Sequence, residues 1–319
     1  MKPHVSPEET TEGFLETPVV FFVFRRPETT ARVFREIRKA RPKKLYIVSD
    51  GARIEKLGEA ELVSRTREVV ANIDWPCKVS RIYATTNLGL RERILSGLDE
   101  VLAKEQKVIV LEDDCLPSES FFSFCSEMLS KHVANEKVAL VSGFNFAPAK
   151  NPDEDYFFTH STYIWGWAIW ARTWKEFRSA KQVEAWSKNE TDSIKETFAS
   201  KIQEREFLGM MAIADTLNTW DISLAVWVRQ NRKLTVVPRI NLIENIGFGA
   251  DATHTKFEAF DVQVPASNFL RPIKHPLETR AAMKLERRMW RQKALRWVVF
   301  PVKHPLRFMG LVLAYLKNR

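Results

Sequence analysis

Cysteine is scarce in this chain, with three among 319 residues: Cys77, Cys115 and Cys125. They are odd in number and lie within or beside apolar runs, which argues against a disulfide framework and for a reducing compartment, the cytoplasm. An apolar leader is lacking too. Residues Met1–Phe14 are polar and acidic, so neither a secretory signal nor a membrane anchor is expected there. Elsewhere Arg, Lys or Pro interrupts every apolar run before the roughly 20 residues that a bilayer crossing needs, and no spanning helix is expected. There is no Cys/His array spaced for zinc, no internal repeat and no low-complexity segment.

What is present is a globular composition, 45% hydrophobic and 28% charged, in a chain long enough for one large α/β domain with an appendage. The formal charge of +9 is unevenly placed. Arg271–Arg319 holds 13 Lys and Arg against Glu278 and Glu286, whereas the first 270 residues hold 36 basic against 38 acidic. The excess belongs to a tail with a partner of its own, carried on a body of nearly balanced charge.

The first half alternates short β-rich runs with helical stretches, the pattern of a mostly parallel sheet with crossover helices. Residues 18–24 (PVVFFVF), 45–48, 78–84, 108–111 (VIVL) and 138–141 read as strands, and residues 28–40, 55–72 and 91–103 as the helices between them. A helix is expected from Ser118 to Met128, another from Trp220 to Gln230, and a last strand pair near Leu234–Ile246. In open α/β sheets ligands bind beyond the carboxyl ends of the strands. The polar residues at those ends, Arg25, Arg26, Asp50, Asn87 and Glu112-Asp113-Asp114, are therefore expected to converge on one crevice.

Three successive carboxylates at the end of an apolar strand repel one another, and desolvation makes this worse, so a cation is the natural compensation. Hard oxygen ligands suit Mn²⁺ or Mg²⁺, which take one or two carboxylates together with phosphate oxygens. The competing reading is a solvated acidic turn ahead of the next helix. Placement directly after VIVL favours the metal.

The segments FVFRRPETT, LYIVSDG, TTNLG, VIVLEDD, VSGFN, YIWGWAIWARTW, TWDISLAVW and NIGFGADATHT, in this order, resemble the GT-A fold nucleotide-diphospho-sugar transferases. The nearest likeness is to the bacterial haemolysin-like glycosyltransferases, and a more distant one is to the inverting N-acetylglucosaminyltransferases. It covers about Thr17–Thr255. It implies a GT-A (Rossmann-like) mostly parallel sheet flanked by helices, with an N-terminal tail over 1–16, a catalytic domain over 17–262 and a basic amphipathic extension over 263–319. It also implies a nucleotide-diphosphate-sugar donor, with a UDP-sugar favoured, and a glycan or lipid-linked acceptor.

By position, the resemblance makes EDD the counterpart of the DxD signature. Asp114 is then the metal ligand, and Asp113 contacts the ribose or a metal-bound water. Asp50 in SDG accepts from the donor's base, and Arg26 lies near the nucleotide with Arg25 as the adjacent alternative. Asp221 is the base that takes the acceptor's proton in transfer with inversion. The Gly-rich loop Asn245–Thr255 closes over bound donor, and His254 reaches the diphosphate or the metal. Each has a plainer reading: Asp50 as an Asp-Gly turn, the Arg pair and Asp221 as helix-start features, His254 as a solvated side chain. Trp165 and Trp167 are expected to pack as core, with Gly166 leaving room near the donor sugar.

Residues 284–319 interleave cations with apolar residues such as Met289, Trp290, Leu295 and Trp297. This suits an anionic membrane surface, the inner face of the plasma membrane, better than nucleic acid. Two rivals remain. A sugar nucleotidyltransferase would show a Gly-rich basic loop after the first strand, and FVFRRPETT has no glycine there. A non-catalytic membrane-active protein would leave the carboxylates at strand ends unexplained.

Overall fold

The computed structural model describes residues 13–149, 153–180, 192–212, 220–247, 264–269 and 272–303. Eight strands form one mainly parallel sheet flanked by helices, the α/β, Rossmann-like class expected. The strands are β1 Val19–Val23, β2 Lys44–Ser49, β3 Lys78–Tyr83, β4 Lys107–Glu112, β6 Val138–Ser142, β7 Tyr156–Thr159, β8 Trp167–Trp170 and β9 Leu234–Pro238. Their order across the sheet is β3-β2-β1-β4-β8-β6-β9-β7. β1 lies at the centre of the parallel half, and all five of its residues are buried, as a strand covered on both faces must be.

The parallel strands stop in step. Phe22 stands opposite Val48 on one side and Glu112 on the other, and Val48 stands opposite Ile82. The residues that follow each strand therefore emerge along one edge of the sheet. α1 (Pro27–Ala40) starts with Pro27 in its first turn, where no amide donor is needed, and buries Val33, Phe34 and Ile37 against the sheet. α2 (Glu59–Val69), α3 (Leu90–Leu102) and α4 (Glu119–Lys131) complete the crossovers.

Several elements depart from the sequence reading. The strands near residues 234–246 both exist but do not pair with each other. β9 joins the main sheet between β6 and β7, while β10 (Ile243–Asn245) pairs antiparallel with β5 (Cys115–Pro117) in a separate two-stranded ribbon. The aromatic stretch also hides two elements, β8 and the helix α5 (Ala171–Ser179), because its apolar residues are continuous and carry no period. Trp167 is core, as expected, at 1% exposure.

Residues 264–269 and 272–296 pack onto the body. Phe269 stacks on Phe124 at 5.3 Å, Ser267 donates its amide to the Asn241 carbonyl, and Ile273 is buried. After the helices α6 (Lys201–Ala212) and α7 (Asp221–Gln230), the chain ends its described part in α8 (Met283–Lys303). Met289 and Trp290, which the sequence places among membrane-facing residues, are instead buried at 3% and 7% exposure against Phe146 and its neighbours. Among the described residues no helix is long and apolar enough to cross a membrane.

Candidate functional site

The strand ends bring two clusters together on either side of β1. One surrounds Asp50, just after β2. Its carboxylate accepts from the Gly51 amide (2.9 Å), the Asn87 amide nitrogen Nδ2 (3.0 Å) and the amides of Leu88 (2.9 Å) and Gly89 (3.0 Å). A carboxylate has about four lone-pair positions, and here three serve the loop between β3 and α3 and the fourth the turn after β2. Asp50 thereby shapes the edge of the sheet beside β1. Asn87 spends its donors on Asp50 and the Gly51 carbonyl, so it too is structural in this arrangement.

Arg67, which the sequence does not single out, fastens the same edge by donating to Ser49 Oγ and to the carbonyls of Asp50 and Ala84. Arg93 in α3 is likewise unforeseen. It is 8% exposed, its Nε has no hydrogen-bond partner, and burial depresses its pKa while Asp50 offsets part of that.

The second cluster holds the acidic triplet at the end of β4. Asp113 Oδ2 accepts from the Phe24 amide at 3.1 Å, tying the ends of β1 and β4 together. Arg26 Nη1 lies 2.7 Å from Asp114 Oδ2 and 3.4 Å from Asp113 Oδ1. Arg26 occupies the N-cap position of α1, as its helix-start reading has it, but its side chain makes no cap bond and turns to the acids. Arg25 turns instead to the buried Glu59, which also pairs with Arg53. The ribbon of β5 and β10 lays the start of the Gly-rich loop across the acids: the Ile246 amide donates to the Asp114 carbonyl, and the Gly247 amide to Asn245 Oδ1. A Cβ on Gly247 would stand 2.3 Å from Asp114 Oδ2, so only glycine fits over this carboxylate. His254 lies outside the described residues.

One arginine does not balance three acids. Burial, then Asp114 and Asp113, then Asp221, push the Glu112 carboxyl well above the usual carboxylate range, and burial followed by Asp114 does the same to Asp113. Burial works to lower the Arg26 pKa but is outweighed by Asp113 and Asp114, which raise it. A cluster that holds protons this tightly is short of positive charge, and a hard divalent cation fits that deficit. Among the described residues no group of three or more Asp, Glu, His or Cys side chains is arranged to hold a metal. Asp114 and Asp113 are the carboxylates that could hold such a cation.

Asp221 comes from the opposite half of the chain, yet its charge is felt at Glu112. It is the first residue of α7, after an N-cap at Trp220 that makes no side-chain capping bond. Trp220 stacks on Trp167 of β8 at 5.4 Å and 28°, and Trp174 meets it edge-on at 6.3 Å. Three tryptophans of the aromatic stretch and its neighbour therefore fix where Asp221 stands. On its far side lies a cavity of about 340 Å³.

No family model and no curated protein matches the chain. Solved structures with some likeness include two of UDP-glucose pyrophosphorylase. The apo form is 12% identical, with a TM-score of 0.36 over 72% of this chain and 93% of that one, and the UDP-glucose complex is 11% identical, with 0.37 over 75% and 96%. A CMP:2-keto-3-deoxy-manno-octonic acid synthetase complexed with CTP is 9% identical, with a TM-score of 0.31 over 53% of this chain and 80% of that one. All three TM-scores are low, and the site has to be read from its own geometry.

Proposed function

We propose that the site binds a nucleotide-diphosphate-sugar across the carboxyl edge of the sheet and transfers the sugar, with inversion, to an acceptor hydroxyl. The observation that carries this reading is the meeting of Asp113, Asp114 and Arg26 at one strand edge with Asp221 within electrostatic reach of Glu112. Asp50 and the acids flank β1, about 10 Å apart by two inter-strand spacings. The Asp50 loop lies on the nucleoside side, and Asp114 with Arg26 on the diphosphate side. Bound Mn²⁺ or Mg²⁺ would supply Lewis-acid neutralisation of charge on the diphosphate. Arg26 adds a fixed positive charge that needs no reorganisation, and Gly247 keeps the approach to Asp114 open.

On the acceptor side, the Asp221 carboxylate takes the hydroxyl proton as the oxygen attacks the anomeric carbon. The bond from that carbon to the diphosphate breaks, and its electron pair leaves with the nucleoside diphosphate. What supports Asp221 in this role is its rigid tryptophan mounting.

Slow donor hydrolysis tests the reading without knowledge of the acceptor. Incubation with UDP-, GDP- and CDP-sugars and Mn²⁺ should release nucleoside diphosphate. Asp221→Asn should cut the rate by at least about 100-fold, the scale of a lost general base, with nucleotide affinity unchanged. Formation of nucleoside triphosphate on adding pyrophosphate, with no diphosphate released in its absence, would replace this reading with nucleotidyl transfer.

A further inference from the structure

The cavity beyond Asp221 has a chemistry that the strand-edge site does not require. Its wall is aromatic and aliphatic: Phe144, Phe146, Trp165, Phe207, Met210 and Trp290. Its volume of about 340 Å³ falls within the range of small-molecule pockets. The wall is well ordered by ring packing, with Phe144 on Trp165 at 4.6 Å and Phe146 on Trp290 at 5.5 Å.

Several polar groups at the wall are bonded to one another, while the Tyr163 hydroxyl, Arg229 Nε and Trp290 Nε1 have no hydrogen-bond partner and are themselves buried. Ser161 Oγ donates to Glu286 Oε1 at 2.6 Å, Gln203 Nε2 donates to both, and Arg229 Nη2 donates to Ser161. Glu286 and Arg229 are 1% and 2% exposed. At the rim, Lys293 pairs with Glu206 and lies over the Trp290 ring at 4.6 Å. A sugar ring placed here would surrender hydrogen bonds to water and find few partners, and each one lost inside protein costs about 1–3 kcal/mol. An apolar group loses nothing on entry and gains about 0.8 kcal/mol per methylene.

We infer that this cavity receives an apolar body carried by the acceptor, such as an aryl group or a hydrocarbon chain next to the attacked hydroxyl. Asp221 belongs to the cavity wall, so a hydroxyl borne on a group lodged among these rings is delivered to the proposed base. The inference rests on the sugar-transfer reading and narrows its acceptor to amphiphiles: hydroxyl outward at Asp221, hydrocarbon inward against Trp290 and Phe207. α8 thereby acquires a role, since Trp290 and Lys293 on its inner side close the cavity.

The test compares n-octyl and methyl β-D-glucopyranoside, below the micellar concentration of the former, by calorimetry on the full chain. The octyl compound should bind at least about ten-fold tighter, which is about 1.4 kcal/mol and needs only two buried methylenes. Ala225→Trp, which fills the cavity from α7, should abolish the preference. Phe207→Ala should weaken it, and UDP binding with Mn²⁺ should persist in both variants. Equal binding of the two glycosides, or a preference unchanged in both variants, overturns the inference while leaving donor binding intact. An octyl preference in a protein that binds no nucleotide sinks the sugar-transfer reading, and with it the assignment of this ligand as an acceptor.

Discussion

Asp50 is 5% exposed, and its carboxylate accepts three hydrogen bonds from the loop between β3 and α3 and one from Gly51. Asp50→Ala leaves the amides of Gly51, Leu88 and Gly89 and the side chain of Asn87 without their acceptor. Urea unfolding should show a loss of about 2–4 kcal/mol, with Asp50→Asn losing roughly half as much. A loss below about 0.5 kcal/mol would mean that the loop holds itself. The identity of Asp50 as a key residue was legible from its position after LYIVS. Its work was not, because three of the four donors come from residues that only the β2–β3 pairing brings close. The same holds for Arg26. Its placement after the first strand was readable, but its bond to Asp114 depends on β1 and β4 being neighbours across 88 residues of chain.

At the scale of elements, the strands with continuous apolar runs were legible to within a residue or two, and α1 with them. Elements escaped where the period vanished, as in the Trp-rich β8, or where a strand is only three residues long, as in β5 and β10. α8 shows both sides of this. Its cations were evident in the sequence, and its fold-facing side was not. Lys284, Arg287, Arg288, Arg291 and Arg296 are exposed, and among the described residues none of them makes an ion pair. Glu286, the sole acid of this helix, is turned inward. Lys195, Lys201, Arg287 and Arg291 line a neighbouring groove of about 510 Å³.

An anionic membrane surface remains the proposed partner, now through this cationic side and the exposed Leu295 rather than through Met289 and Trp290. Replacing Lys284, Arg288 and Arg291 together by Glu should weaken binding to vesicles rich in phosphatidylglycerol by well over about ten-fold, since each cation near such a surface contributes about 1 kcal/mol. Sedimentation with phosphatidylcholine vesicles should show no binding by either protein. Equal binding to both vesicle types would remove the electrostatic account.

Across the whole molecule, the acidic cluster makes stability depend on pH. In the folded, metal-free protein burial and mutual repulsion hold the Glu112 and Asp113 carboxyls well above the values near 4 of an unfolded chain. The folded state therefore binds more protons than the unfolded one between pH ~4 and ~8, and stability falls as pH rises through that window. The Tm of the metal-free protein should drop from pH 5 to pH 8 by at least about 2 °C more than that of Asp113→Asn, the shift that about 1 kcal/mol produces in a large domain. Mn²⁺ should restore the loss at pH 8. Scanning calorimetry reads all three, and parallel pH profiles for the two proteins would mean that the carboxylates are not strained.

The meeting of the cluster with Asp221 is a property of the whole fold, because β4 and α7 are more than a hundred residues apart in sequence. The account stands or falls on whether a divalent cation joins Asp114 to a donor diphosphate. Calorimetric titration with UDP, GDP and CDP, each with and without Mn²⁺, measures this directly. One nucleotide should bind at least about ten-fold tighter with the metal, about 1.4 kcal/mol, and Asp114→Ala should erase that gain. Affinity indifferent to Mn²⁺, or a metal-dependent gain that survives in Asp114→Ala, would contradict it.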